Sequence, residues 1–86
     1  SSMQRKLPSF LNTLSLSDTE KALDILLTPQ EYETIEHRIK ILTDLASGIP
    51  QSEIAKKYNV GVGTVTRGSR EYKQHKLFIS KYFRKS

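Results

Sequence analysis

Hydrophobic residues recur along this chain at helical rather than strand spacing, and polar punctuation separates the runs at helix-length intervals. The pattern predicts an all-α chain. Phe10, Leu11 and Leu14, following Pro8, suggest a short first helix. Ser17-Asp18-Thr19-Glu20 matches a capping box and predicts a second helix from Asp18 to about Leu26. Thr28-Pro29-Gln30-Glu31 carries the same signal more strongly, with Thr as N-cap, Pro at the first helical position and Glu at the third. A third helix therefore begins there and ends near Gly48, a residue suited to a left-handed cap.

At about 100° per residue, a helical wheel gathers Tyr32, Ile35, Ile39, Leu42, Leu45 and Ala46 into one sector of this third helix, with Ile41 at its edge. That sector is the expected core face. Arg38 falls inside the extended sector, where an unpaired guanidinium is costly to bury. Either its stem covers the core while its head reaches water, or it meets a partner or ligand.

Residues 51–70, QSEIAKKYNVGVGTVTRGSR, have the spacing of a helix-turn-helix, within a motif running over 51–73. Small Ala55 stands where two helices cross, Ile54 and Tyr58 point inward, and Val60 and Val65 close the wedge. Asn59 occupies the turn position that needs a left-handed residue. A plain αα-hairpin imitates part of this spacing. On the second helix Val62, Val65, Ser69 and Tyr72 form the inward face, whereas Gly63, Thr66, Arg70 and Lys73 point outward and suit a major groove. Val62, at the start of this helix, also counts among the candidate DNA contacts. Ser52, Lys56 and Lys57 on the preceding helix, with Lys73, suit phosphates, although Lys56 and Lys57 also fit a solvated basic face. Thr64, Arg67 and Glu71 form a third stripe, and by spacing alone Arg67 and Glu71 read as an exposed i,i+4 ion pair.

Charge sharpens this picture. The net charge is +5, but residues 1–49 hold five Lys/Arg against seven Asp/Glu, whereas residues 50–86 hold nine against two. The basic half, at +7, should face a polyanion. With 86 residues the chain suits a single domain, 1–86, whose own core is small. It contains no Cys, and His37 and His75 lie far apart, so disulfides and a zinc site are not expected and oligomerisation is the remaining source of buried surface. No apolar run approaches bilayer length and no signal-peptide pattern opens the chain, which points to the cytoplasm and away from membranes. Ser1 and Ser2 before Met3 read as a cloning remnant. No nucleophile-base arrangement, acid/base pair or phosphate-cradling Gly loop suggests an enzyme.

The runs LLTPQEYETIEHRIKILTDLASG and QSEIAKKYNVGVGTVTRGS, above all Leu27-Thr28-Pro29 and Thr64-Val65-Thr66-Arg67-Gly68-Ser69, resemble the bacterial Trp repressor family from roughly Leu26 to Lys73. The resemblance implies an intertwined all-helical homodimer that binds free L-tryptophan as corepressor and then double-stranded operator DNA. It further implies that Arg38 and Arg67 sandwich the indole, with Arg67 also on the ligand carboxylate. Thr28 would offer its hydroxyl to the carboxylate unless it is used as an N-cap, and the carbonyls near Ile25 and Leu27 would accept from the ammonium. Thr64 and Gly68 would complete the pocket.

The chain departs from the family at Glu71, where a small residue is usual, so a carboxylate either meets the ligand ammonium or folds onto Arg67. The loop from Gly48 to Gln51 is one residue shorter and contains Pro50, and basic operator-contacting positions correspond here to Ser52 and Ala55, so the operator should differ. Three functions are thus carried forward. They are a repressor gated by a free amino acid, a ligand-independent DNA-binding module, and a basic helical protein-interaction domain.

Overall fold

A computed structural model describes residues 6–84 of the chain, so Ser1 and Ser2 lie outside the described residues. Among the described residues there are six helices and no strand: α1 (Lys6–Asn12), α2 (Leu16–Leu26), α3 (Pro29–Ala46), α4 (Gln51–Tyr58), α5 (Val62–Gln74) and α6 (Lys76–Tyr82). The chain divides between Tyr32 and Glu33 into two compact units.

The first unit holds α1, α2 and the first turn of α3, and none of its described residues is buried. Its α2 starts earlier than the sequence pattern indicates. Ser15, not Ser17, is the N-cap, and its hydroxyl accepts from the Asp18 N–H at 3.2 Å. Ser15 stands three positions before Asp18, so this acidic residue, rather than Glu20, occupies the favourable third position of the helix. The start of α3 is a reciprocal capping box, as expected. The Thr28 N–H donates to Glu31 Oε1 at 2.9 Å, and the Glu31 N–H donates to Thr28 Oγ1 at 3.1 Å.

The second unit has its core where α3, α4 and α5 meet, in Ile41, Leu45, Ile54 and Val65. Ala55, Tyr58, Val60 and Tyr72 pack against it in the slots that the helix-turn-helix spacing requires, as do Leu42 and Ile49. The core face of α3 is rotated from the expected sector. Ile41, placed at the edge, is 2% exposed, whereas Ile35 and Ile39, placed centrally, are 42% and 46% exposed. Val62, expected inward on α5, is 65% exposed because it opens the helix ahead of the turn that contacts the core.

Two left-handed residues set the corners. Gly48 has φ 86°, and the N–H groups of Gly48 and Ile49 donate to Leu45 and Asp44 carbonyls, a Schellman closure of α3. Asn59, at φ 52° and ψ 48°, repeats the motif on α4, with its own N–H on Lys56 and that of Val60 on Ala55. Ile49 and Val60, the residues just beyond each cap, turn back onto the core. A sixth helix, α6, lies beyond the last element that the sequence pattern indicated, with Ile79 buried.

Candidate functional site

Helix α5 carries three distinct faces. Val65 and Ser69 are buried and Tyr72 half-buried, as the wheel predicts, and the Ser69 hydroxyl accepts from Gln51 Nε2 at 3.1 Å to tie α5 to the start of α4. Gly63, Arg70 and Lys73 are exposed on the opposite side, with Thr66 half-buried beside them. The Thr66 hydroxyl makes a long 3.4 Å contact to Gln51 Oε1. Ser52, Lys56 and Lys57 are exposed on α4, and their helix begins at Pro50 with no side-chain cap.

The third face of α5 borders a cavity of about 650 Å³ between α3 and α5. Thr64, Arg67, Gly68 and Glu71 line it from α5, while Thr34, His37, Arg38, Ile41 and Leu42 line it from α3, and Val60 comes from the turn. Its floor is apolar, and two guanidiniums and one carboxylate stand around it. Gly68 matters for its shape. A Cβ there would lie 3.2 Å from Ile41 Cγ2 and 3.5 Å from Leu45 Cδ1, so the absent side chain lets α5 approach α3 closely.

Five of the sequence-derived ligand residues, Arg38, Thr64, Arg67, Gly68 and Glu71, are thus brought together. Arg38 is exposed, in line with the alternative in which its stem covers the core while its head reaches water, and it lines the cavity. The i,i+4 ion pair between Arg67 and Glu71 is not formed, the ion pair found among the described residues being Lys57–Asp44. Ile25, Leu27 and Thr28 belong to the first unit, where Ile25 is 75% exposed and the Thr28 hydroxyl is used as the N-cap of α3.

Sequence reasoning did not single out Thr34 or Asp44, and it gave Val60 a packing role and His37 none at this cavity. Thr34, His37, Arg38 and Ile41 follow the i, i+3, i+4, i+7 spacing of one helix stripe, a signal that leads from Arg38 to the others. Asp44 is 1% exposed, and its Oδ2 accepts from Tyr58 OH at 2.6 Å and from Lys57 Nζ at 3.1 Å. Hydrogen bonding to Asp44, foremost, raises the Lys57 ammonium above its ordinary value of 10.5. Burial, then the bond to Asp44, raises the Tyr58 phenol above 10.0. The Tyr58 ring also lies against His37, with centroids 6.1 Å apart, so this network adjoins the cavity wall.

Comparison with known proteins adds a family. The family model described as Trp repressor protein matches residues 4–84. Among curated proteins, the Trp operon repressor homolog of Vibrio campbellii is 42% identical over 55 residues, covering 63% of this chain and 55% of that protein. The Trp operon repressor homolog of Aliivibrio fischeri is 37% identical over 65 residues, 74% of this chain and 60% of that protein. The chain therefore spans a little over half the length of the curated relatives it matches. No solved structure matches it significantly.

Proposed function

The chain belongs to the Trp repressor family, and from that premise we propose that it is a dimeric, DNA-binding transcriptional repressor gated by a free amino acid, L-tryptophan foremost. One observation carries the gating: α5 borders the charged cavity with Arg67 and Glu71 and presents Gly63, Thr66, Arg70 and Lys73 on another face. An occupant held between Arg38 and Arg67 bears directly on the helix that would enter the major groove. It shifts the tilt of α5 only as far as its affinity differs between the two tilts. By reciprocity, operator DNA tightens ligand binding.

The chemistry of the cavity fits a flat zwitterion. Guanidinium planes stack on an aromatic ring, Arg67 meets the carboxylate, and Glu71 takes the ammonium. Binding is non-covalent and no catalytic step is involved. Ser52, Lys56 and Val62 complete the proposed DNA set. A role on operator DNA places the protein in the cytoplasm.

The chain has no Trp, so bound L-tryptophan is read directly from its own fluorescence. Saturable binding to the wild-type protein, lost in Arg38→Ala, and operator affinity that rises with ligand are the expected results. A protein that binds no free amino acid, with operator affinity unchanged in Arg38→Ala, would leave the ligand-independent module instead.

A further inference from the structure

Asp44 lies in the last turn of α3, where the backbone carbonyls already concentrate negative charge and a carboxylate is unfavourable for the helix. It is also 1% exposed, in a setting where an unpaired carboxylate is strongly destabilising. Both costs are offset from α4. Lys57 Nζ and Tyr58 OH converge on Asp44 Oδ2 from 13 and 14 positions along the chain. These two donors come from the last turn of α4, just before the Asn59 corner that leads into α5.

We propose that Asp44 is a positioning residue for the helix-turn-helix: it moors the end of α4 to α3 through Lys57 and Tyr58, so that Lys57 serves this mooring and not a phosphate. The geometry supports this over the solvated or phosphate-bound role that a lysine on a basic helix suggests. The Lys57 side chain is half-exposed, yet its ammonium sits on a carboxylate that is not. That carboxylate also cancels one positive charge of the basic half. Lys56, one position earlier, forms no ion pair among the described residues and remains available to DNA. Tyr58 adds the link to the cavity wall, since its ring lies against His37 while its hydroxyl holds Asp44.

The test combines melting with a salt series, the second arm resting on the DNA-binding reading above and the first independent of it. Lys57 is half-exposed, so Lys57→Met keeps the fold while removing the ammonium that faces the buried Asp44 carboxylate. Its melting temperature should fall, and adding Asp44→Asn should recover part of that loss, because the double variant no longer buries a negative charge. With duplex DNA, Lys57→Met should weaken binding equally at every salt concentration, a parallel downward shift. A lysine that neutralised a phosphate would instead, on removal, flatten the slope of log affinity against log salt by about 0.9. Strictly additive melting shifts, a flattened slope, or unchanged affinity at all salt concentrations would each overturn the proposal. If the parent protein binds no DNA, the proposed function fails, and the melting arm still decides the mooring.

Discussion

Arg67 and Glu71 stand four positions apart on α5, the spacing at which opposite charges meet on a helix surface, and both turn instead to the cavity without pairing. An exposed pair of this kind would contribute only a few tenths of a kcal/mol, so a ligand offering each group its own partner easily outcompetes it. Glu71→Ala should therefore weaken binding of L-tryptophan, by roughly tenfold or more for one charge-assisted hydrogen bond of about 1.5–3 kcal/mol. Titration of ligand fluorescence measures this directly. Tighter binding in the variant would mean that Glu71 occupies the empty pocket and competes for Arg67. The convergence of Arg38, Arg67, Gly68 and Glu71 was legible through the resemblance of the LTP and TRGS runs. Asp44 was not, because one acidic residue on a helix wheel looks like any solvated position. Its partners lie 13 and 14 residues away, beyond what helical periodicity relates.

Helix starts and stops were legible where the chemistry of an end is local, as at the reciprocal Thr28–Glu31 box and the left-handed Gly48 and Asn59. They were misplaced where two serines compete, Ser15 capping α2 in place of Ser17. Helix α6 escaped notice for a related reason. It is seven residues long, has no side-chain cap, and leaves Leu77, Phe78 and Tyr82 exposed, so only Ile79 follows an inward pattern. The core face of α3 was misjudged because a wheel weighs all apolar residues equally. In the structure α4 and α5 cover Ile41 and Leu45 but not Ile35 or Ile39. The same close packing makes Gly68 a sensitive position. Alanine there gains about 1 kcal/mol in helix propensity, but its Cβ presses on Ile41 Cγ2 at 3.2 Å, and Ile41 is buried with little room to yield. Overpacking costs about 1–3 kcal/mol, so Gly68→Ala should be neutral to destabilising by about 2 kcal/mol in thermal melts. It should also weaken ligand binding, since a displaced α5 carries Arg67 and Glu71 with it. A more stable variant with unchanged ligand affinity would show that α5 does not need this approach.

At the scale of the whole molecule, two features of the chain ask for a second copy and a polyanion. Burial within one chain is sparse: Ile41, Leu45, Ile54, Val65 and Ile79 are the buried hydrophobics among the described residues, while Leu7, Phe10, Leu16, Ile25 and Leu26 in the first unit are all exposed. A chain of this size would gain further stability by burying such surface against a partner, and in the proposed dimer a second copy would supply a matching set through two-fold symmetry. Charge then sets what the proposed dimer would bind. Residues 50–86 carry +7, and the mooring of Lys57 on Asp44 leaves Lys56, Arg70 and Lys73 as the exposed cations nearest the reading face. Symmetric reading heads address successive turns of one DNA face, so the two α5 helices should lie about 34–36 Å apart and the preferred site should be a near-palindrome. Neutralising about 4–6 phosphates per protomer would give a steep fall of affinity with salt, and Lys73→Met should flatten that slope by about 0.9 for the phosphate it leaves unneutralised. Thr66→Ala should instead change which sequences are preferred, because a side chain at a base edge discriminates between bases while leaving counterion release untouched. Light scattering at tens of micromolar protein, followed by the salt series on a palindromic duplex, measures both. A monomer would remove the basis for the palindrome, and a salt slope near zero would remove the electrostatic account of DNA binding, leaving the exposed apolar surface to a protein partner.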